Sequence, residues 1–458
     1  MKSMFGSDTK YYSKDGGFMK VKLHSGSVYI QFESNRVDYT FVEISTEKTK
    51  IMFSCGWNQP PTDWPCAYGD VMLEGLTFGE SNFNAVIVPY NNSDQRGIIE
   101  SINEDIPIYM HEDIKCVLDT IADFNNTHSP RVDVYFEERR KEIIGDISIT
   151  LLKVDCRTPG RMLFLIEGDN EKIFYTDGFK TINSGNYNML EEIDIILCEK
   201  TYFGTPDDID IRDLEDEVDR IMQENTGHVF AFCSVTDTTC IKYVERACRG
   251  SGRKLVIDPF TKLIQDQVAN QLFINPIGLL PHNNGLYPRN QNRKKYGLSS
   301  RIQEHIDRSD DIDFAYIGKF ASLNADTKRS NLTFLVRYIM YHDVIFWLAA
   351  RKQLLNSVMI DLNRECHKDG LLIKEFIKLL SAMGINIETI HVSNHSYREK
   401  LMTVIAQLKP NVLIPIGHGS AEVFYEICKE QDCKVIELNA GVVEEISCTH
   451  IERNGKNE

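Results

Sequence analysis

The sequence lacks the long apolar run that a membrane-spanning helix requires. Such a helix needs about 20 consecutive apolar residues, and no uncharged apolar stretch of this chain approaches that length. The opening stretch, MKSMFGSDTKYYSKDGG, contains no apolar segment that could serve as a signal peptide. We therefore expect a cytoplasmic protein without a membrane partner.

Paired cysteines are also missing. The chain has 12 cysteines, but they are scattered and no C-x-x-C pair occurs. Several lie in apolar runs, as Cys198 does after Ile196 and Leu197. Buried free thiols in a reducing compartment fit this pattern better than a disulfide framework or a zinc ribbon.

Basic residues are in the minority, with 51 Lys and Arg against 67 Asp and Glu, which gives a formal net charge of −16. This balance argues against generic nucleic-acid binding, because phosphate affinity is largely cationic in origin. One exception is the stretch 287–296, where basic and aromatic side chains alternate as in grooves that hold a single strand. The alternative is a solvated loop. The candidate nucleic-acid-binding residues are Arg289, Arg293, Lys294, Lys295 and Tyr296.

What is present is the composition of a folded protein, with 42% hydrophobic and 26% charged residues. At 458 residues the chain exceeds the roughly 250–300 residues at which a single core stops growing. We therefore expect more than one core and more than one domain.

Short alternating segments at 20–31, 39–45 and 50–54 predict antiparallel strands at the edge of a sheet. Strands and helices then alternate, and the pattern becomes a βαβ repeat over 211–258, which is typical of a parallel sheet. The stretch 275–300 is predicted to be loop-rich. Residues 386–438 return to an α/β pattern.

Several strings of the chain resemble a known family when they are taken in order. The strings are DIPIYM (105–110), IGDISITLLKVDCRTPGRMLFLIEGDNEKIFYTDGFK (144–180), CEKTYFG (198–204), GRKLVIDPFT (252–261), IHVSNHS (390–396) and LKPNVLIPI (408–416). They are similar to the metallo-β-lactamase fold with an inserted β-CASP domain, the architecture of RNase J and the cleavage-factor nucleases. The resemblance covers over nine tenths of the chain.

The resemblance implies an α/β fold, namely a metallo-β-lactamase αββα sandwich with an inserted β-CASP α/β domain. The implied divisions are an extension at 1–18, the first part of the metallo-β-lactamase domain at 19–205, the β-CASP domain at 206–385, the C-terminal part of the metallo-β-lactamase domain at 386–450 and a tail at 451–458. Active relatives hydrolyse RNA with two zinc ions, which generate a hydroxide and stabilise the leaving oxygen.

The sequence departs from the family's metal ligands at almost every position. The family's H-x-H-x-D-H run falls on YNNSDQ, so Tyr90 stands at the first histidine and Asp94 is the one remaining ligand type. Cys156 replaces the next histidine, and Asp177 lies in a turn whose Asp and Gly are exchanged. The last histidine, His418, is displaced by one place.

Two family positions keep their residue type, His395 and Glu199. In active relatives the counterpart of His395 touches the scissile phosphate. We therefore expect no catalytic residues, with Asp94, Asp177, His395 and Glu199 as remnants. No metal site or cofactor is expected either. Asp94, Cys156 and His418 are weak candidates for a single zinc. Against them stands the loss of the surrounding hydrogen bonds that orient metal ligands.

The leading hypothesis is a catalytically degenerate protein that acts as a non-catalytic binding or scaffold subunit in RNA or nucleic-acid processing. Its expected partner is a protein, either an active nuclease subunit or a second copy of the chain, with RNA as a further ligand. The alternative is an active zinc-dependent ribonuclease with a rebuilt site. A third hypothesis is a nucleic-acid-binding module without catalysis.

Overall fold

A computed structural model describes most of the chain. The described residues are 19–29, 36–57, 73–90, 99–125, 128–154, 160–176, 186, 188–200, 211–269, 277–280, 314–316, 332–336, 341, 344–346, 348–349, 354, 356–362, 371–390, 398–416, 421–429, 431 and 433–438. Its helices are α1 (Glu112–Asn125), α2 (Ile211–Glu224), α3 (Thr238–Gly250), α4 (Pro259–Ile264), a π-helical turn (Gln265–Ala269), α5 (Leu371–Ala382), α6 (Arg398–Leu408) and α7 (Glu422–Lys429).

A first sheet contains six strands in chain order. They are β1 (Lys20–Tyr29), β2 (Arg36–Ser45), β3 (Lys50–Trp57), β4 (Ala85–Ile87), β5 (Ile108–His111) and β6 (Val134–Phe136). β1, β2 and β3 pair antiparallel, whereas β3 to β6 run parallel. The antiparallel edge strands predicted from the alternating pattern are confirmed.

A second sheet contains seven strands. They are β7 (Lys141–Ile144), β8 (Ile147–Lys153), β9 (Met162–Gly168), β10 (Glu171–Thr176), β11 (Ile195–Glu199), β19 (Val412–Ile416) and β20 (Lys434–Val435). The order across the sheet is β20-β19-β11-β10-β9-β8-β7. β7 to β10 form an antiparallel meander, and β10, β11, β19 and β20 are parallel.

The two sheets share one apolar core. On β10, Ile173 and Tyr175 face this shared core, whereas Phe174 lies in a separate core with residues of α6 and α7. The alternation follows from the two-residue period of a strand, which sends neighbouring side chains to opposite faces. Because α1 also contributes Ile114 and Leu118 to the shared core, helices pack with both sheets in a mixed α/β unit.

Aromatic rings fill the centre of the shared core. Phe53 of β3 stacks on Tyr175 with ring centroids 4.6 Å apart. Phe164 of β9 meets Phe53 edge-on at 5.4 Å and Phe136 at 5.5 Å. All four rings are buried, and such offset and edge-on pairs add to the stabilisation from burial. This cluster joins the two sheets.

A third sheet is entirely parallel. Its strands are β12 (Val229–Phe232), β13 (Lys254–Ile257), β14 (Ile277–Leu280), β15 (Phe314–Tyr316), β16 (Leu332–Leu335), β17 (Val358–Asp361) and β18 (Asn386–Thr389). Their order is β15-β14-β13-β16-β12-β17-β18. α2 and α3 pack on one face, and α5 packs on the other with Tyr341, Val344, Ile345 and Leu348.

The parallel sheet is an insertion in the second sheet. β11 and β19 are paired neighbours in register, yet the whole parallel sheet lies between them in the chain. The predicted boundary at 385/386 needs correction, because β18 (Asn386–Thr389) pairs with β17 in the parallel sheet. The chain returns to the second sheet after β18, through α6.

A small apolar contact joins α1 to the inserted unit. Val117 and Ile121 of α1 pack against Phe260, Leu263 and Ile264. Beside them, the Thr120 hydroxyl donates a 2.8 Å hydrogen bond to Gln267 Oε1 in the π-helical turn. The side of the parallel sheet that carries the start of α4 therefore faces the first unit, which is built from the first two sheets.

Six short strands differ from the sequence prediction, and three of them, β15, β16 and β17, lie in a stretch for which no strand was predicted. β14 lies inside the stretch 275–300 that was predicted to be loop-rich. β6 and β7 were not predicted, because they are only three and four residues long and partly exposed. In the described part of the chain, seven cysteines are free and five of them are buried, as the sequence indicated. No helix in this part has the length and apolar character needed to cross a bilayer.

Candidate functional site

The carboxyl ends of strands from both sheets of the first unit meet at one rim. The Met162 N–H at the start of β9 donates a 3.2 Å hydrogen bond to the Pro89 carbonyl oxygen, just after β4. Met162 also pairs in register with Lys153 at the end of β8. Since Leu163 pairs with Thr176, the end of β10 lies at the same rim. Loops that follow parallel strands are where ligands bind in such sheets.

Tyr90 lies at this rim and is buried, with 5% of its surface exposed. The Arg161 guanidinium lies over its ring, 5.9 Å from the ring centroid. A guanidinium over a phenol ring is attracted by the ring's quadrupole. The rim therefore carries an aromatic ring and a cation where the sequence resemblance would require the first metal-ligating histidine.

A second polar group lies at the end of β5. His111 is buried, and its Nδ1 accepts a 3.1 Å hydrogen bond from the Asp113 N–H. Burial lowers the pKa of the His111 imidazole, while the Asp113 carboxylate opposes that shift. Asp113 also forms an ion pair with Lys153, with 3.3 Å between Oδ2 and Nζ. The ends of β5 and β8 are thus linked through charged side chains.

The third part of the rim follows β11. Glu199 pairs in register with Ile416 of β19, and the next amide, Lys200 N–H, donates a 2.7 Å hydrogen bond to the Ile416 carbonyl oxygen. The Lys200 side chain is mostly buried, and its Nζ lies 3.3 Å from Glu437 Oε1. Thr176, at the end of β10, donates a 3.0 Å hydrogen bond to the Leu197 carbonyl oxygen.

Most of the candidate residues predicted from the sequence lie outside the described part of the chain. Glu199 is described and lies at the rim. The predicted residues that lie outside the described part are Asp94, Cys156, Asp177, Arg289, Arg293, Lys294, Lys295, Tyr296, His395 and His418. Asp177 directly follows β10 in sequence, and His418 comes two residues after β19.

Three cations at the rim were missed from the sequence, Lys153, Arg161 and Lys200. Each directly ends, precedes or follows a strand of the second sheet. In the sequence, each of these residues is a basic residue next to the end of a predicted strand, and that position could have indicated the site.

The described residues of the rim include three cations at strand ends, Lys153, Arg161 and Lys200. No group of three or more His, Cys, Asp or Glu side chains that could hold a metal occurs in the described part of the chain. A guanidinium beside the first ligand position also opposes two dications by like-charge repulsion. The arrangement is better suited to an anion, because basic side chains and strand-end amides bind phosphate oxygens.

Acidic residues after strands of the parallel sheet serve as helix caps. The Asp258 carboxylate is buried after β13 and accepts hydrogen bonds from the N–H groups of Phe260 and Thr261, at 2.8 and 3.2 Å. Asp237 likewise accepts a 3.0 Å hydrogen bond from the Cys240 N–H at the start of α3. These carboxylates stabilise the first turns of helices, so a structural role accounts for them.

Comparison with known proteins shows a shared fold. The sequence matches no protein-family model and no curated protein. A protein of unknown function from Enterococcus faecalis V583 is similar in structure over 94% of this chain and 99% of its own, with 15% identity and a TM-score of 0.63. At this identity the likeness concerns the fold alone.

A second solved structure aligns over a smaller part. It is the metallo-β-lactamase fold protein YhfI from Bacillus subtilis, which covers 41% of this chain and 73% of its own at 15% identity. Its TM-score of 0.27 is too low to support an argument.

Proposed function

We propose that this chain has a metallo-β-lactamase fold with an inserted β-CASP domain and acts as a non-catalytic RNA-binding subunit in nucleic-acid processing. The fold proposal is supported by the two packed sheets with helices outside them. It is also supported by the parallel sheet inserted between the register partners β11 and β19. That is the domain order that the sequence resemblance implies.

The observation that carries the functional proposal is the contact between Tyr90 and Arg161. In a two-metal hydrolase, imidazoles at this rim would hold the ions that generate hydroxide and stabilise the leaving oxygen. Here an aromatic ring takes the first ligand position and a guanidinium covers it. This geometry favours binding of an anionic ligand over hydrolysis by metals.

A phosphodiester backbone is the anion that best matches the rim. Lys153, Arg161 and Lys200 follow one edge of the second sheet, where neighbouring strands lie about 4.8 Å apart. Lys153 and Lys200 are paired with Asp113 and Glu437, which are both more than a third exposed. The pair of Lys153 is exposed on both sides and is therefore weak, so a phosphate can replace its carboxylate. In the pair of Lys200 only the carboxylate is exposed.

The experiment is equilibrium binding of 5′-labelled single-stranded RNA to the full chain between 50 and 200 mM salt. Binding is expected to weaken steeply with salt, since released counterions drive it. Arg161→Ala should lower the affinity and reduce the slope of log K against log salt by about 1. The control Arg246→Ala removes the same charge from an exposed residue of α3 and should leave the slope unchanged.

Two results would contradict the proposal. One is equal loss in the Arg161 and Arg246 variants, which would indicate general electrostatics. The other is cleavage of the labelled RNA with any of several divalent metals, which would support an active hydrolase. Co-purification at native expression level tests the subunit role, with an active nuclease as the expected companion.

A further inference from the structure

A cavity lies at the amino edge of the parallel sheet, on the opposite side from the contact with α1. Its volume is about 710 Å³, which falls in the range of small-molecule sites. It lies where α2 and α5 end and where β12, β17 and β18 begin. Its described lining combines the polar residues Glu224, Asn356 and Asn386 with apolar side chains.

The floor of this cavity is rigid. Gly227 approaches the Asn356 backbone so closely that an added Cβ would lie 2.1 Å from the Asn356 carbonyl oxygen. Asn356 itself has a left-handed backbone with φ of 57°, a conformation that asparagine tolerates better than most residues. The Ser357 hydroxyl accepts a 3.2 Å hydrogen bond from the His228 N–H. The loops that frame the cavity are thereby fixed to one another.

Arg253 braces the floor from outside the cavity. It is buried, and its Nε and Nη1 donate hydrogen bonds to the carbonyl oxygens of Met222 and Gly227, at 3.0 and 2.8 Å. Its Nη2 donates to the Asn225 carbonyl oxygen. Arg253 is not among the described residues that line the cavity, so its charge is directed to the backbone beneath.

The cavity presents hydrogen-bond acceptors to a ligand. Asn386 Nδ2 donates a 2.7 Å hydrogen bond to Glu388 Oε1, and Asn356 Nδ2 donates a 3.1 Å hydrogen bond to Thr226 Oγ1. Each bond orients its amide, so that the amide oxygen, an acceptor, and the second N–H remain for a ligand.

Among the described lining residues, Glu224 carries the one formal charge. Arg220 donates one hydrogen bond to Glu224 but two to Glu217, so these three side chains keep a net charge of −1. Helix ends such as those of α2 and α5 add partial negative charge.

An apolar wall completes the cavity, formed by Ala349, Leu354 and Met383. A carboxylate, amide oxygens and an aliphatic wall together match a ligand with an ammonium group on a methylene chain. We propose that this cavity binds an aliphatic ammonium, with its nitrogen at Glu224 and the amide oxygens and its methylene groups on the apolar wall. The ammonium group belongs either to a free diamine or to a lysine side chain of a partner protein.

The test is calorimetric titration of the full chain with three molecules that share a four-carbon chain. They are 1,4-diaminobutane, which is a dication, 1,4-butanediol, which is neutral, and succinate, which is a dianion. Saturable binding of the diamine alone is expected. Equal binding of the diol, or tighter binding of succinate, would overturn the proposal.

Variants separate this site from general attraction to an acidic chain. Glu224→Gln should weaken diamine binding by about fivefold, the effect of one partly exposed ion pair. Asp213→Asn is the matched control, because Asp213 is an exposed carboxylate in the first turn of α2, at the other end of the helix from the cavity. Equal weakening in both variants would overturn the proposal.

A gain of affinity provides a second check that does not depend on losing a contact. Asn356→Asp adds a carboxylate at a position where Asp also tolerates the left-handed backbone, and it should tighten diamine binding by about fivefold. Unchanged or weaker binding would contradict the proposal. Titration with Nα-acetyl-lysine-methylamide then shows which molecule carries the ammonium group. If the natural ligand is a partner's lysine, this compound should bind more tightly than the diamine. If the natural ligand is a free diamine, the diamine should bind more tightly.

Discussion

Met162 donates its backbone N–H to the carbonyl oxygen of Pro89, and this 3.2 Å hydrogen bond joins the two sheets of the first unit at one rim. Met162 begins a strand of the second sheet, and Pro89 follows a strand of the first. The bond therefore brings the ends of β4, β8 and β10 to the same edge. Arg161 and Tyr90 meet directly beside it.

The packing beneath this rim depends on Phe164, which contacts the rings of Phe53 and Phe136. Phe164→Ala should lower the free energy of unfolding by about 3–5 kcal/mol, because a fully buried ring is replaced by a cavity. Urea denaturation measures this change. The control Ile143→Ala, at a side chain with 72% exposure, should change stability by less than about 0.5 kcal/mol. Similar losses in both variants would contradict the described packing.

Two glycines of the inserted unit are expected to respond oppositely to alanine. Gly227→Ala places a Cβ 2.1 Å from the Asn356 carbonyl oxygen and 2.5 Å from the Ser357 nitrogen, so backbone must move. A loss above about 3 kcal/mol is expected. Gly250→Ala at the end of α3 meets no atom within 4 Å and should be neutral or stabilising by up to about 1 kcal/mol. Thermal and urea unfolding measure both, and tolerance of Gly227→Ala would show that β12 and β17 start farther apart.

His228 makes stability depend on pH. Burial, followed by the charge of Arg253, lowers the pKa of His228 to about 4, and its neutral Nδ1 accepts a 3.2 Å hydrogen bond from the Leu332 N–H. Between the ordinary histidine pKa of about 6.5 and the folded value, the unfolded chain binds more protons. The stability from this group is thus complete above pH 6.5 and is lost as the pH falls towards 4.

Lowering the pH from 7 to 5 should therefore cost about 2 kcal/mol through His228. In His228→Asn this part of the loss should disappear, because an amide oxygen can accept the same hydrogen bond without titrating. Urea denaturation at both pH values gives the difference. His128→Asn, at an exposed position, is the control and should lose as much as the unchanged chain; the same loss in His228→Asn would exclude this role.

The sequence predicted the regular parts of the fold best. β1, β2 and β3 follow the alternating segments predicted at 20–31, 39–45 and 50–54, and their bounds agree with the prediction to within three residues. β7 could not be predicted in this way, because three of its four side chains are at least partly exposed. For β18, the pattern indicated a strand but not its sheet. Pairing with β17 is a long-range contact that local sequence does not encode.

The site was predicted less completely than the fold. The sequence prediction rested on metal ligands, so it included Glu199 and the replacement of a histidine by Tyr90. It did not find Arg161, because its contact with Tyr90 joins two sheets and depends on the hydrogen bond between Met162 and Pro89. Lys153 and Lys200 were missed for the same reason, since each gains its position from strand pairing.

We propose that the rim around Tyr90 and Arg161 binds an anion and does not hold a pair of catalytic metals. Elemental analysis of the full chain, purified without chelators, distinguishes the two. Far less than one zinc or manganese ion per chain is expected. A content close to two ions per chain would exclude the proposed anion site.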